Sequence, residues 1–109
     1  MATAYKVLGQ AYPTAATATT LYTVPSSTQT VVSTIQITNQ GASTDKIRIA
    51  VRPAGASLSS QHYIAYDTSV ISSGVFSLQL GITLATTDVL TVQSLQGNTS
   101  FSAFGSEIS

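Results

Sequence analysis

Residues 46–52 read Lys-Ile-Arg-Ile-Ala-Val-Arg. A period of two sends Ile47, Ile49 and Val51 to one side of a pleated strand and Lys46, Arg48 and Arg52 to the other, with Ala50 between them. The same alternation returns along the chain. In 30–38, Val31, Ile35 and Ile37 oppose Thr34, Gln36 and Thr38. In 74–80, Phe76, Leu78 and Leu80 oppose Val75, Ser77 and Gln79, and in 88–94, Leu90 and Val92 oppose Val89, Thr91 and Gln93. Thr, Val and Ile dominate, whereas Glu, Lys, Arg and Met, which favour helices, are scarce.

Weaker strands fill the gaps. Residues 5–8 read as an edge strand, and 19–24 as a strand stopped by Pro25. Residues 61–67 carry His62, Tyr63, Ile64 and Tyr66, and 99–104 carry Phe101 and Phe104. The spacing of three between those two Phe calls for a bulge or an outward-facing ring. Turn signals recur at Pro25-Ser26-Ser27, Asn39-Gln40-Gly41-Ala42-Ser43, Pro53-Ala54-Gly55, Ser72-Ser73-Gly74 and Gln96-Gly97-Asn98. A short helical turn fits 54–61. The expectation is all-β: one antiparallel, jelly-roll-like β-sandwich of about eight short strands, spanning 1–109 as a single domain. Residues 1–20 read as an extended N-terminal arm or an edge strand. The inward set is Val31, Ile35, Ile37, Ile47, Ile49, Val51, Phe76, Leu78, Leu80, Leu90, Val92 and Phe101, enough apolar surface for one core.

Charge narrows the function. The chain has four Lys plus Arg, four Asp plus Glu and no Cys in 109 residues. Its charged fraction of 7% compares with roughly 25% in an average domain. A nucleic-acid binder needs a basic surplus that this chain lacks. No apolar run reaches membrane-spanning length. No signal peptide is expected from the start Met-Ala-Thr-Ala-Tyr-Lys. A zero net charge does little to oppose self-association, so part of the surface is expected to be covered by partners.

No motif points to a reaction. His62 is the single His, no G-x-S-x-G elbow accompanies the 16 Ser, and no ligand cluster for a metal or cofactor is evident. Asp45, Asp67, Asp88 and Glu107 show no spacing of a catalytic pair; Asp45 and Asp88 read as turn or strand-start residues. Gly41, Gly55, Gly74, Gly81, Gly97 and Gly105 are dispersed and read as turn glycines. Asn98-Thr99-Ser100 matches the glycosylation acceptor pattern by chance. Candidate interface residues are the basic pair Arg48 and Arg52 and the aromatic residues Tyr5, Tyr12, Tyr63, Tyr66 and Phe104. Alternation puts Tyr63 and Tyr66 on opposite faces of one strand.

Several segments together resemble a family. They are Lys6-Val7-Leu8-Gly9-Gln10, Thr20-Leu21-Tyr22-Thr23-Val24-Pro25, Val31-Val32-Ser33-Thr34-Ile35, Ile49-Ala50-Val51-Arg52-Pro53-Ala54-Gly55-Ala56, Tyr63-Ile64-Ala65-Tyr66-Asp67, Asp88-Val89-Leu90-Thr91-Val92 and Phe101-Ser102-Ala103-Phe104-Gly105-Ser106-Glu107-Ile108. In that order the chain resembles small virion structural proteins of tailed bacteriophages, common among cyanophages. The resemblance implies a non-enzymatic decoration or cement protein. It would bind the major capsid protein, bridge shell subunits and associate with itself, as a trimer on threefold positions. Assembly in the host cytoplasm and residence in the virion follow. A tail, baseplate or fibre-associated role, with glycans bound by exposed aromatic rings, is the alternative.

Overall fold

The computed structural model describes residues 3–79 and 81–109. Among the described residues nine strands form two antiparallel sheets. The strands are β1 (Thr3–Ala11), β2 (Thr19–Thr23), β3 (Gln29–Asn39), β4 (Asp45–Arg52), β5 (Tyr63–Val70), β6 (Val75–Leu78), β7 (Ile82–Leu84), β8 (Val89–Ser94) and β9 (Thr99–Ile108). One sheet runs β1-β9-β3-β6, with β7 also on β3; the other runs β2-β8-β4-β5. The chain is thus a long hairpin folded at β4 and β5 and rolled up. Along it β3 meets β6 and β7, β2 meets β8, and β1 meets β9. This is jelly-roll connectivity, with the sixth position split between two short strands. Two single 3-10 turns, Pro53–Gly55 and Ser60–His62, occupy the stretch read as one helical turn.

Alternation accounts for most of the core. Ile35, Ile37, Ile47, Ile49, Leu90, Val92 and Phe101 are buried between the sheets, joined by Leu21, Val24, Val32 and Ala103. Phe76, Leu78 and Val51 pack half-buried against them; Leu80 lies outside the described residues. One register is corrected. Val32, not Val31, is the buried residue of its pair. The ladder from β3 to β9 skips from Val32 opposite Gly105 to Thr34 opposite Phe104, so Ser33 is an extra residue that reverses the parity. A matching irregularity lies between Val7 and Gly9 on the other side of β9.

These bulges bracket a close approach. A Cβ built on Gly105 would stand 2.0 Å from the Val31 carbonyl oxygen. Gly105 is therefore a strand-interior glycine required by backbone contact, rather than a turn residue. Phe101 and Phe104 need no bulge within β9: alternation turns Phe101 inward and Phe104 outward. Of the arm and the edge strand expected at this end, β1 takes the edge strand. Residues 3–11 pair along β9 as an edge strand, and the following residues cross over to β2.

Candidate functional site

Five of the seven sequence-predicted interface residues fall into two groups on opposite sheets. The first lies on the outer face of β1, β9 and β3. Tyr5 is 85% exposed, Val7 49% and Phe104 37%. Val7 pairs with Phe104 and Tyr5 with Ser106, so these side chains share a face. With Val31 and Ser33 they line a shallow depression of about 520 Å³. Beneath that face Lys6 Nζ meets Glu107 Oε1 at 2.8 Å. Glu107 Oε2 accepts the Tyr22 hydroxyl at 2.5 Å, and Tyr22 and Thr30 hydroxyls are 2.8 Å apart. The Lys6 contact, then the Tyr22 bond, lower the Glu107 pKa. Burial, reinforced by Glu107, pushes Tyr22 up to about 12.

The second group lies on β4 and β5. Arg48 Nε donates to Asp67 Oδ1 at 2.7 Å, and its guanidinium stands 4.1 Å from the centre of the Tyr66 ring. Tyr63 meets Tyr66 edge to face at 4.9 Å. The rings meet although alternation sets their residues on opposite faces: β5 is irregular against both Ile47/Ile49 and Ile49/Ala50, and Asp67 takes a positive φ of 53°. An edge strand interrupted in this way does not hold its side chains to strict alternation. With Leu58, Ser59 and Ser60 the rings line a groove of about 580 Å³. The hydrogen bond from Arg48 lowers the Asp67 pKa and raises that of Arg48.

Arg52 is committed within the chain. Its Nε donates to Thr91 Oγ1 at 3.0 Å and its Nη1 to the Ala56 carbonyl at 3.0 Å. It clamps the turn after β4 through neutral acceptors, a hydroxyl and carbonyl oxygens. Tyr12 stands more than half exposed beyond β1 and lines neither depression. His62 Nδ1 accepts the Ser59 N–H at 3.1 Å, closing a 3-10 turn. Among the described residues no group of three or more His, Asp or Glu gathers as a metal site would require.

Sequence reasoning missed Val7, Asp67 and Leu58. Val7 was legible, two residues from Tyr5 on one strand. Asp67 and Leu58 were not, because bulges and a turn bring them to the rings. Asn98-Thr99-Ser100 sits against the fold: Thr99 is buried, its hydroxyl 2.5 Å from Asp45 Oδ2. Comparison with protein-family models, with curated proteins and with solved structures found no match to this chain.

Proposed function

We propose that this chain is a non-enzymatic structural subunit of a virus particle, a decoration or cement protein that sits on the outer shell and bridges neighbouring shell subunits. The observation that carries this reading is the division of the surface. Arg48 and Lys6 are spent on ion pairs inside the chain and Arg52 on a turn, while Tyr5, Val7 and Phe104 stand in solvent. A surface of short, neutral side chains has little conformational entropy to lose on contact. Many such contacts, repeated around a shell, give firm attachment without a deep pocket. By fold analogy, the jelly roll recurs in viral capsid domains. The partners are other copies of the chain and the shell protein, in a virion assembled in the host cytoplasm.

Electron microscopy of intact virions with a label on this chain tests the proposal. Label on the head at a fixed ratio to the shell subunit is expected. Label confined to the tail supports the second reading, and particles without it overturn the proposal. The second reading, a tail or fibre protein binding glycans, is favoured by the groove of Tyr63 and Tyr66 beside the Ser59 and Ser60 hydroxyls. A glycan array without signal removes it.

A further inference from the structure

β1 has two unlike halves. Near its C-terminal end it runs close to β2, where a Cβ on Gly9 would stand 2.1 Å from the Leu21 carbonyl oxygen. Residues 3–7 are all exposed. Among the described residues β1 pairs with β9 alone. The outer margin of this half therefore presents a row of backbone N–H and C=O groups that another strand can complete. Proteins commonly blunt such margins with Pro, a bulge or an unpaired Lys. Here residues 3–7 hold no Pro, the irregularity falls beyond Val7, and the one Lys is tied to Glu107 at 2.8 Å.

We propose that residues 3–7 pair antiparallel with the same residues of a second copy, about a two-fold axis at Tyr5, joining two sheets into one. This pairing deepens the assembly reading above and rests on it; it puts a two-fold contact in place of the threefold arrangement implied by the resemblance. The register favours a second copy over a foreign strand. With Tyr5 opposite Tyr5 of the copy, Val7 faces Thr3 and Lys6 faces Ala4. The only charged residue of the segment never meets its own copy directly across the ladder, where like charges destabilise. The two Tyr rings meet at the axis as an aromatic cross-strand pair. Because the segment is short and self-complementary, one patch serves both subunits, as a two-fold interface demands. The apolar face of Tyr5, Val7 and Phe104 then continues from one subunit into the next.

Sedimentation equilibrium of the full chain over a range of concentrations tests this. The natural chain is expected to dimerise reversibly. Tyr5→Lys and Tyr5→Asp each set like charges at the axis, and each should weaken dimerisation by about tenfold or more. Their circular dichroism and thermal midpoints should match the natural chain, because Tyr5 is almost fully exposed. An equimolar mixture of the two variants should recover a heterodimer, which only a Tyr5-on-Tyr5 register allows. The inference is overturned by a natural chain that stays monomeric, by variants that associate like it, or by a mixture that shows no recovery. Association is read in solution and attachment on the particle, so the two readings fail separately. A monomeric chain that still labels the head removes the edge pairing and leaves the structural role. Dimers that never reach a particle do the reverse.

Discussion

The two ends of the sandwich each hold a carboxylate, and they hold it differently. At one end Asp45 is completely buried. Its Oδ1 accepts the Lys46 and Gln96 N–H groups at 2.8 and 3.0 Å, and its Oδ2 accepts the hydroxyls of Thr99 and Ser94. Asn39 extends this network, donating to the Ser43 and Val70 carbonyls at 2.9 and 3.0 Å. No cation is among the donors to Asp45. At the other end Glu107 is partly open and answers to Lys6, itself about half exposed, and to Tyr22. The first end is shut by neutral donors that tie β4, β8 and β9 together and join β3 to β5. The second lies beside the free margin of β1. The contrast teaches where the fold keeps rigidity and where it leaves room for a partner.

The comparison breaks most sharply at Asp45. Asp45→Ala leaves four donors without their acceptor in a closed interior, and a loss of about 3 kcal/mol in urea unfolding is expected. Asp45→Asn, which keeps the shape and part of the bonding, should cost less. Acid sharpens the same point. Burial raises the Asp45 pKa, but the bonds from Ser94, Thr99, Gln96 and Lys46 outweigh it and the net shift is downward. Glu107 is lowered as well. A carboxylate with a depressed folded pKa stabilises fully above its unfolded value, and the contribution disappears as pH falls through the folded one. Stability should therefore hold from neutrality to roughly pH 4 and decline below it. In Asp45→Asn the acid decline should be shallower; an unchanged acid profile would show that Asp45 is not its source.

At the open end the effects are smaller. Tyr22→Phe removes one hydroxyl from Glu107 and Thr30, with an expected cost of about 1–2 kcal/mol in the same unfolding measurement. The natural chain carries an alkaline signature of that hydroxyl, set first by its burial and then by Glu107. Tyr22 titrates at about 12 in the fold against 10.0 when free. Its stabilising contribution is complete below pH 10 and is lost as pH rises towards 12. Tyr22→Phe should flatten that window, as followed by tyrosinate absorbance and thermal midpoint together. The smallest effect belongs to Lys6→Met. An exposed ion pair is worth about 0–1 kcal/mol, so stability should hardly move. The same substitution leaves Glu107 less depressed, held by Tyr22 alone, so its share of the acid decline should shrink.

Much of the fold was legible because burial between two sheets imposes a period of two. Ile47 with Ile49, Leu90 with Val92 and Ile35 with Ile37 were read from alternation alone. Asp88 also behaves as its neighbours suggest: its carboxylate takes the Ala85 and Ala54 N–H groups at 2.9 and 2.8 Å and fixes a turn. The errors lie where an extra residue enters a strand. Ser33 exchanged Val31 for Val32, and the irregularities of β5 put Tyr63 against Tyr66. A bulge is set by how neighbouring strands fit, and no local pattern records it. Asp45 shows the other kind of omission. Its position at the start of a strand was readable, whereas its four donors come from β4, β8, β9 and the turn between the last two.

By itself the sequence determined an all-β chain, its apolar periodicity, its turn positions and its poverty of charge. These are local properties, set by β-branched side chains, by Gly and Pro, and by what each residue can bury. Only the tertiary structure decided what that charge does. Folding brings Lys6 to Glu107 and Arg48 to Asp67, across 101 and 19 residues of chain. It also brings Tyr5, Val7 and Phe104 to one open face. Pairing of distant strands creates those contacts, because register and bulges, not sequence neighbours, choose which side chains meet.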